Sequence, residues 1–425
     1  MTPQAAVAGA LDRHLPGGPA RVGVAVSGGG DSMALMVLLA QAVAARGGVL
    51  RAVTVDHGLR PGSATEAALA ADAAARLGIR HDTLHWRDGD PAGWDGRGNL
   101  QARARAARLG ALRDWAAAHG LTHVCLGHTM DDQAETVLMR LARGSGVDGL
   151  AGMAEARREG TDGPVWLRPL LTQRRGALRD VLREAGVVWA EDPSNTDKRF
   201  DRVRVRAMLA DPVLAGFDVP TLAATAERMA AARAVLWQAA QDAATTHAVA
   251  DHGAIGFDRA AFAALPDDTR WRLLASAVRR VADLPYRPRL AALVRAENAA
   301  LTGTPATVAG CVLSAARGRI WVDREPAALA GRAAPAPGLW DGRWRIDGPD
   351  RGLILAALGP EGLAQSPGWR KAGFRRRAIL TAPGVWDGPR LVAAPTLSGC
   401  GPTAPDWSSQ PLWDTLSFCD ALRPD

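Results

Sequence analysis

The apolar run Val22–Val26 leads directly into Ser27-Gly28-Gly29-Gly30-Asp31-Ser32, and a second apolar run, Met33–Ala40, follows. This order constrains the chain to a buried strand, a glycine-rich turn and a helix. Such a turn directs backbone N–H groups and the positive end of a helix at an anion. Glycine lets the backbone approach a phosphate or take a positive φ. The triphosphate loop of kinases and GTPases ends in Gly-Lys-Ser/Thr, but here no lysine follows the glycines. An acid and two serines flank them instead, which suits gripping a pyrophosphate with a metal ion, as when ATP donates AMP. An ordinary capped βα turn would account for the glycines alone.

The loop is embedded in regular alternation. Strands are expected at Val22–Val26, Leu50–Val55, Arg80–Trp86, His123–Leu126 and Val165–Arg168, with helices near 33–45, 65–77, 100–119, 133–143 and 174–184. Alternating βα units imply a parallel sheet covered by helices, with ligands bound at the carboxyl ends of its strands. Ser27–Ser32, Asp56-His57 and Gly127-His128 each follow a strand and should gather at that edge. From about 220 to 300 the chain reads as helices. An Ala/Pro/Gly linker over 328–338 then precedes a segment of short apolar runs, read as a small β-containing domain. The expected domains are 1–215, 216–327 and 338–425.

The 425 residues carry 51 basic and 44 acidic side chains, a net charge of +7. Only Lys198 and Lys371 are lysines, so the positive charge is almost entirely arginine, which binds phosphate in a bidentate way and suits a polyanionic partner. No uncharged apolar stretch approaches the roughly 20 residues of a membrane helix. The N-terminus has no signal-peptide pattern. The four cysteines, Cys125, Cys311, Cys400 and Cys419, include no Cys-x-x-Cys pair. A reducing, cytoplasmic setting is expected, without a zinc or redox site.

Three further groups carry chemistry. Gly127-His128-Thr129-Met130-Asp131-Asp132-Gln133-Ala134-Glu135-Thr136 opens a helix. Asp132 and Glu135 have capping-box spacing, yet Asp131 and His128 beside them exceed what a cap requires. Acids here can hold a cationic substrate, coordinate magnesium or act as a general base. In Asn99–Arg108, Arg105 and Arg108 share one helical face, where a solvated stripe is the default reading. After Glu191-Asp-Pro-Ser-Asn195 come Arg199, Arg202, Arg204 and Arg206, spaced for phosphate contacts rather than for an amphipathic face. Asp56 alone reads as a turn former.

The ordered set resembles the PP-loop ATP-pyrophosphatases, and among them the tRNA(Ile)-lysidine synthase family. Ser27–Ser32 and Asp56-His57-Gly58-Leu59 look like its first two signatures, and Gly127-His128 with Asp131–Thr136 like its third. Arg140–Met153, Arg168-Pro-Leu-Leu171 and Glu191–Asn195 extend the likeness to about residue 206. Two departures stand out: Gln101 and Leu109 occupy positions where the family commonly has an acid and an aromatic. The basic run reads Arg202-Val-Arg-Val-Arg206, where Asn often follows the first arginine.

The resemblance implies an α/β fold: a parallel-sheet PP-loop domain, then a helical domain and a small β-containing domain, the latter two gripping tRNA. It implies an enzyme that adenylates the wobble cytidine of a CAU-anticodon tRNA(Ile) and then joins free L-lysine to it, with ATP and Mg²⁺. Ser27, Gly28, Gly29, Gly30, Asp31, Ser32, Asp56 and His57 would bind ATP, with Asp31 on the metal. Arg105 would stabilise the α-phosphate, Asp132 and Glu135 would bind lysine, and Arg199, Arg202, Arg204 and Arg206 would contact tRNA. The rival readings are a PP-loop tRNA thiolase, a non-catalytic RNA-binding protein and a small-molecule amidotransferase. The oligomeric state stays open.

Overall fold

The structure is a computed structural model. It describes residues 1–17, 20–56, 58, 62–85, 100–158, 163–191, 201–209, 217–397, 399–402 and 404–422, with the backbone alone for 100–105. Two compact units emerge, Met1–Arg233 and Ala234–Pro424. The first contains α1 (Pro3–His14), β1 (Arg21–Ala25), α2 (Gly30–Ala45), β2 (Val49–Asp56), α3 (Ser63–Arg76), β3 (Arg80–His85) and α4 (Leu100–Ala118). It continues through β4 (His123–Leu126), α5 (Met130–Leu141), α6 (Val147–Leu150), β5 (Ala156–Arg158), β6 (Val165–Leu167), α7 (Arg175–Glu184) and α8 (Asp201–Leu209).

The strands form one sheet in the order β3-β2-β1-β4-β6-β5. Neighbours are parallel except β5, which pairs antiparallel with β6. The order reverses between β1 and β4, so the loops after these two strands bound the crevice where open α/β sheets bind ligands.

Helix α2 fixes the glycine loop in place. Met33 through Leu39 are all buried, sharing one core with Val22 and Val24 of β1, Val7 and Leu11 of α1, Ala70 of α3 and Leu178 and Leu182 of α7. A helix covered on every side needs no polar stripe, and its sequence has none. At about 1.5–3 kcal/mol per buried large apolar side chain, this run anchors the turn before it. On the other face, Leu112, Trp115 and Ala116 of α4 pack on Ala25, Val53 and Val124.

Helix α9 (Val219–His247) begins in the first unit, where Val219, Leu222 and Ala226 pack with Ala134 and Val137 of α5. The second unit contains β7 (Ala248–Asp251), β8 (Ala254–Asp258), α10 (Arg259–Ala264), α11 (Asp267–Val281), α12 (Leu290–Leu301), β9 (Ala306–Val308), β10 (Cys311–Ala316) and β11 (Arg319–Arg324). The 216–327 stretch, expected as a helical domain, therefore also holds a five-stranded antiparallel sheet, β7-β8-β11-β10-β9, of which β7 and β8 interrupt the run read as helices. The Ala/Pro stretch read as a linker is itself structured: Ala334–Ala336 pairs antiparallel with Leu353–Ala357. Of the short apolar runs beyond it, Trp344–Asp347 and Arg390–Ala393 are strands and Arg376–Leu380 is a helical turn.

Part of the arginine excess serves this unit internally. Buried Asp341 accepts from Arg324, Arg332 and Arg343 at 2.6–3.0 Å. Arg375 bonds Asp251 at 2.7 Å and Asp323 at 2.9 Å, with its guanidinium 3.4 Å from the Trp321 ring centroid. Net charge thus overstates the arginine available to a polyanion.

Candidate active site

The loop after β1 is cross-tied. Ser27 donates its N–H to Ser32 Oγ at 3.0 Å, and Ser32 Oγ donates to the Gly29 carbonyl at 3.0 Å. Gly28 has φ +79°, and a Cβ there would lie 2.9 Å from the Glu66 carbonyl. From the far side, Ala190 donates its N–H to the Gly28 carbonyl at 2.9 Å, and Trp189 packs over Gly30. Helix α2 starts at Gly30 with no side chain capping it among the described residues. Its N-terminal turn lines a cleft of about 380 Å³, opposite Gly127 and His128 after β4. An uncapped helix start with backbone N–H groups at a cleft is an anion site.

Beside the loop lies a network of acids and arginines. Thr129 caps α5: Asp132 N–H donates to Thr129 Oγ1 at 3.4 Å, and Asp132 Oδ2 accepts from Thr129 N–H and Oγ1, each at 2.9 Å. The capping box is therefore Thr129–Asp132, and Glu135 takes no part in it. Glu135 is 1% exposed and accepts from Arg206 Nε at 2.6 Å, with Arg202 Nε at 4.0 Å. Burial holds its carboxyl above the ordinary carboxylate range, against the pull of Arg206.

Arg175 joins both sides of the cleft. Its Nε donates to Asp31 Oδ2 at 3.0 Å, and its Nη2 lies 3.3 Å from Asp132 Oδ1 and 3.7 Å from Glu135 Oε1. Its backbone N–H donates to Asp131 Oδ2 at 2.9 Å, so Asp131 serves the start of α7. Burial works to lower the guanidinium pKa, but the three carboxylates outweigh it and hold it above its ordinary value. Burial likewise raises the Asp31 carboxyl, with Arg175 opposing. Among the described residues no three His, Cys, Asp or Glu side chains cluster as a metal nest. A divalent ion at Asp31 would take its other ligands from phosphate oxygens and water, which is how magnesium binds beside nucleotides.

A PP-loop domain family model matches residues 6–213. A tRNA(Ile)-lysidine synthase from Ruegeria pomeroyi is 47% identical, over 89% of this chain and 88% of its own. The chain belongs to the tRNA(Ile)-lysidine synthase family. Relatives of the same name from Bradyrhizobium sp. and Bradyrhizobium diazoefficiens are 45% and 40% identical, covering 61% and 75% of this chain and 73% and 93% of theirs.

In this lysidine synthase family member, Ser27, Gly29, Gly30, Asp31, Ser32, Asp132 and Arg206 line the same cleft. Gly28 shapes its loop, and Glu135 lies behind Asp132 through Arg175 and Arg206. Asp56 accepts the Gly58 N–H at 2.9 Å and lies 3.8 Å from His85 Nδ1, a turn-forming position at the end of β2. His57 and Arg199 lie outside the described residues, as does the Arg105 side chain. Arg108, one turn later on α4, lines the cleft. On α8 the structure turns Arg202 and Arg206 towards Glu135, where the spacing suggests phosphate contacts, while Arg204 pairs with Asp201.

Sequence reasoning missed Arg175. Its signal is electrostatic: Arg174 and Arg175 stand at the start of a helix, where the dipole disfavours cations. Acids from elsewhere must therefore meet them, and Asp131, Asp31 and Asp132 do.

Two expectations follow for this synthase. A Cβ on Gly127 would lie 2.9 Å from Ser32 Cα, backbone that cannot rotate away. Gly127→Ala should lower unfolding free energy by about 1–3 kcal/mol in urea titrations and weaken ATP binding, because the start of α2 must shift. His128 is held neutral by burial, its imidazole lowered to about 4, and Nδ1 is buried without a hydrogen-bond partner among the described residues. The unfolded chain, with an imidazole near 6.5, binds more protons between those values. Stability should therefore fall as pH drops from about 6.5 towards 4, by up to about 1.4 kcal/mol per unit. Urea midpoints at pH 5 and 7 should show a larger loss in the wild type than in His128→Asn, in which His81 and His123, also lowered by burial, still contribute.

Proposed function

We propose that this chain joins free L-lysine to C2 of the wobble cytidine of a CAU-anticodon tRNA(Ile), converting ATP to AMP and pyrophosphate through an adenylated cytidine. The observation that carries this reading is the cleft itself. An uncapped helix start stands on one side and Asp132, with buried Glu135 behind it, on the other, bridged by the Arg175 guanidinium.

Backbone N–H groups at Gly28–Gly30, with Ser27 and Ser32, hold the pyrophosphate portion of ATP, and Asp56 and His57 are assigned to its nucleoside. A magnesium ion on Asp31 supplies charge neutralisation across the phosphates when bound. The cytosine O2 attacks the α-phosphorus, the α–β bridging bond breaks, and pyrophosphate leaves. Arg105 stabilises the charge on the transferring phosphate. Asp132 and Glu135 bind the lysine ammonium groups, and Glu135, raised by burial, takes the proton that frees the attacking amine. The amine then bonds C2, the C2–O2 bond breaks, and AMP leaves.

In this reading residues 1–215 are catalytic, while 216–327 and 338–425 hold the tRNA, aided by Arg199, Arg202, Arg204 and Arg206. The compartment is the cytoplasm; among the described residues no helix is long and apolar enough to cross a membrane. A thiolase reading lacks support at the cleft, since no cysteine lines it among the described residues. Cys125 lies in β4, where burial pushes its thiol far above the thiolate range.

The test is incubation with ATP, Mg²⁺, labelled lysine and a tRNA(Ile) transcript. Label at the wobble cytidine, with equal AMP and pyrophosphate, is expected. ATP cleavage without label in the RNA would overturn the reading.

A further inference from the structure

Arg175 stands between two half-sites. Its Nε faces the nucleotide-side carboxylate Asp31 at 3.0 Å, and its Nη2 faces the amine-side carboxylates Asp132 and Glu135 at 3.3 and 3.7 Å. We propose that Arg175 is a positioning residue that couples these half-sites, an internal cation that stands in at the acids until nucleotide binds, so that magnesium nucleotide tightens lysine binding. This rests on assigning nucleotide to the Ser27–Ser32 loop and lysine to Asp132 and Glu135.

The coupling follows from charge. Three partly or wholly buried carboxylates within reach of one another repel, and a cation among them relieves that repulsion. Magnesium nucleotide is itself a net anion. Seated on the loop, it turns Asp31 towards the metal and offers Arg175 phosphate oxygens, which a guanidinium binds with charge-assisted, bidentate geometry. As Nη2 leaves for the phosphates, Asp132 and Glu135 lose a counter-charge, and an ammonium supplies it. Arg206 stays on Glu135 at 2.6 Å, so the acids remain held. The swing leaves the helix intact, because the bond from Arg175 to Asp131 is made by the backbone N–H. By reciprocity, lysine tightens nucleotide binding by the same factor.

Calorimetric titration of lysine into the full chain, with and without Mg²⁺ and α,β-methylene ATP and with no RNA present, tests this. The lysine Kd of the wild type should fall at least about fivefold when nucleotide is added. In Arg175→Gln the ratio should collapse towards one, and Arg175→Lys, which keeps the charge but reaches one acid at a time, should fall between. Nucleotide is titrated into each variant alongside, and if Arg175→Gln no longer binds it, the Arg175→Lys ratio decides. A wild-type ratio of one, or full coupling retained in the variants, overturns the proposal. Those results leave both ligands bound, whereas nucleotide binding with no lysine binding in either condition would show that the lysine assignment itself has failed.

Discussion

Asp31→Ala should reduce tRNA-dependent pyrophosphate release by on the order of a thousandfold while the protein stays folded. Asp31 occupies the first turn of α2, where a carboxylate complements the helix dipole, and it lines the cleft beside the loop. Its carboxyl is nevertheless held above the ordinary range, because burial, together with the nearby Asp132 and Asp131, outweighs Arg175. The sign of the linkage is therefore clear. Between the ordinary and the raised value the folded chain binds more protons than the unfolded one, so this group's contribution to stability declines as pH rises through that window. The charged form of Asp31 is thus disfavoured in the ligand-free fold by burial and by the neighbouring Asp132 and Asp131, against its contact with Arg175. Asp31→Asn should accordingly lose activity like the alanine variant while its urea midpoint stays level or rises, the usual exchange of stability for function at a site. Pyrophosphate release and urea unfolding, measured on both variants, check this. Near-wild-type turnover would remove Asp31 from the phosphate site; lost activity with a fall of several kcal/mol in stability would make it a structural residue.

The first unit was largely legible because its signals are local and redundant. Strands β1, β2 and β4 carry apolar runs that lead into the turns at Ser27, Asp56 and Gly127, and helices α5 and α7 show their period. Several elements escaped, α1, α6 and β5 among them. Helix α1 carries ordinary start signals, Thr2 capping and Pro3 in the first turn, but no motif drew attention to it. Strand β5 is three residues long and polar, at a sheet edge.

The sheet of the second unit was hidden for a different reason. Its hairpins turn on His252-Gly253, Ala309-Gly310 and Arg317-Gly318, each with both residues at positive φ. That is the geometry of two-residue hairpins, whose usual marker is Asn-Gly or Asp-Gly. Without the marker, and within alanine-rich surroundings, short strands such as Ala248–Asp251 read as continuations of helix. At the site, the acids of 131–135 were legible from their excess over a cap, but their partners were not. Arg175 reaches Asp31 across 144 residues of sequence, and Arg206 reaches Glu135 across 71. Such pairings are set by the sheet order and leave no spacing to read.

Glu135→Gln should raise the KM for lysine by on the order of 10–100-fold, the worth of a charge-assisted bond, with ATP affinity in the absence of lysine little changed. Because burial raises its carboxyl, the wild-type profile of kcat/KM for lysine should fall on the acid side at a pH above the ordinary glutamate value. That limb should vanish in Glu135→Gln. A structural role would move neither the limb nor the split between lysine and ATP. The capping geometry sharpens the comparison. Asp132 closes the box with Thr129, so Asp132→Asn should cost both lysine binding and about 1 kcal/mol of stability. Glu135 makes no cap, and glutamine still offers Arg206 an acceptor, so its loss should appear in lysine kinetics rather than in unfolding. If instead Glu135→Gln leaves the lysine KM alone and lowers the urea midpoint, its carboxylate serves only as the counter-ion of Arg206 and Arg175, and the lysine ammonium must be sought at Asp132 alone.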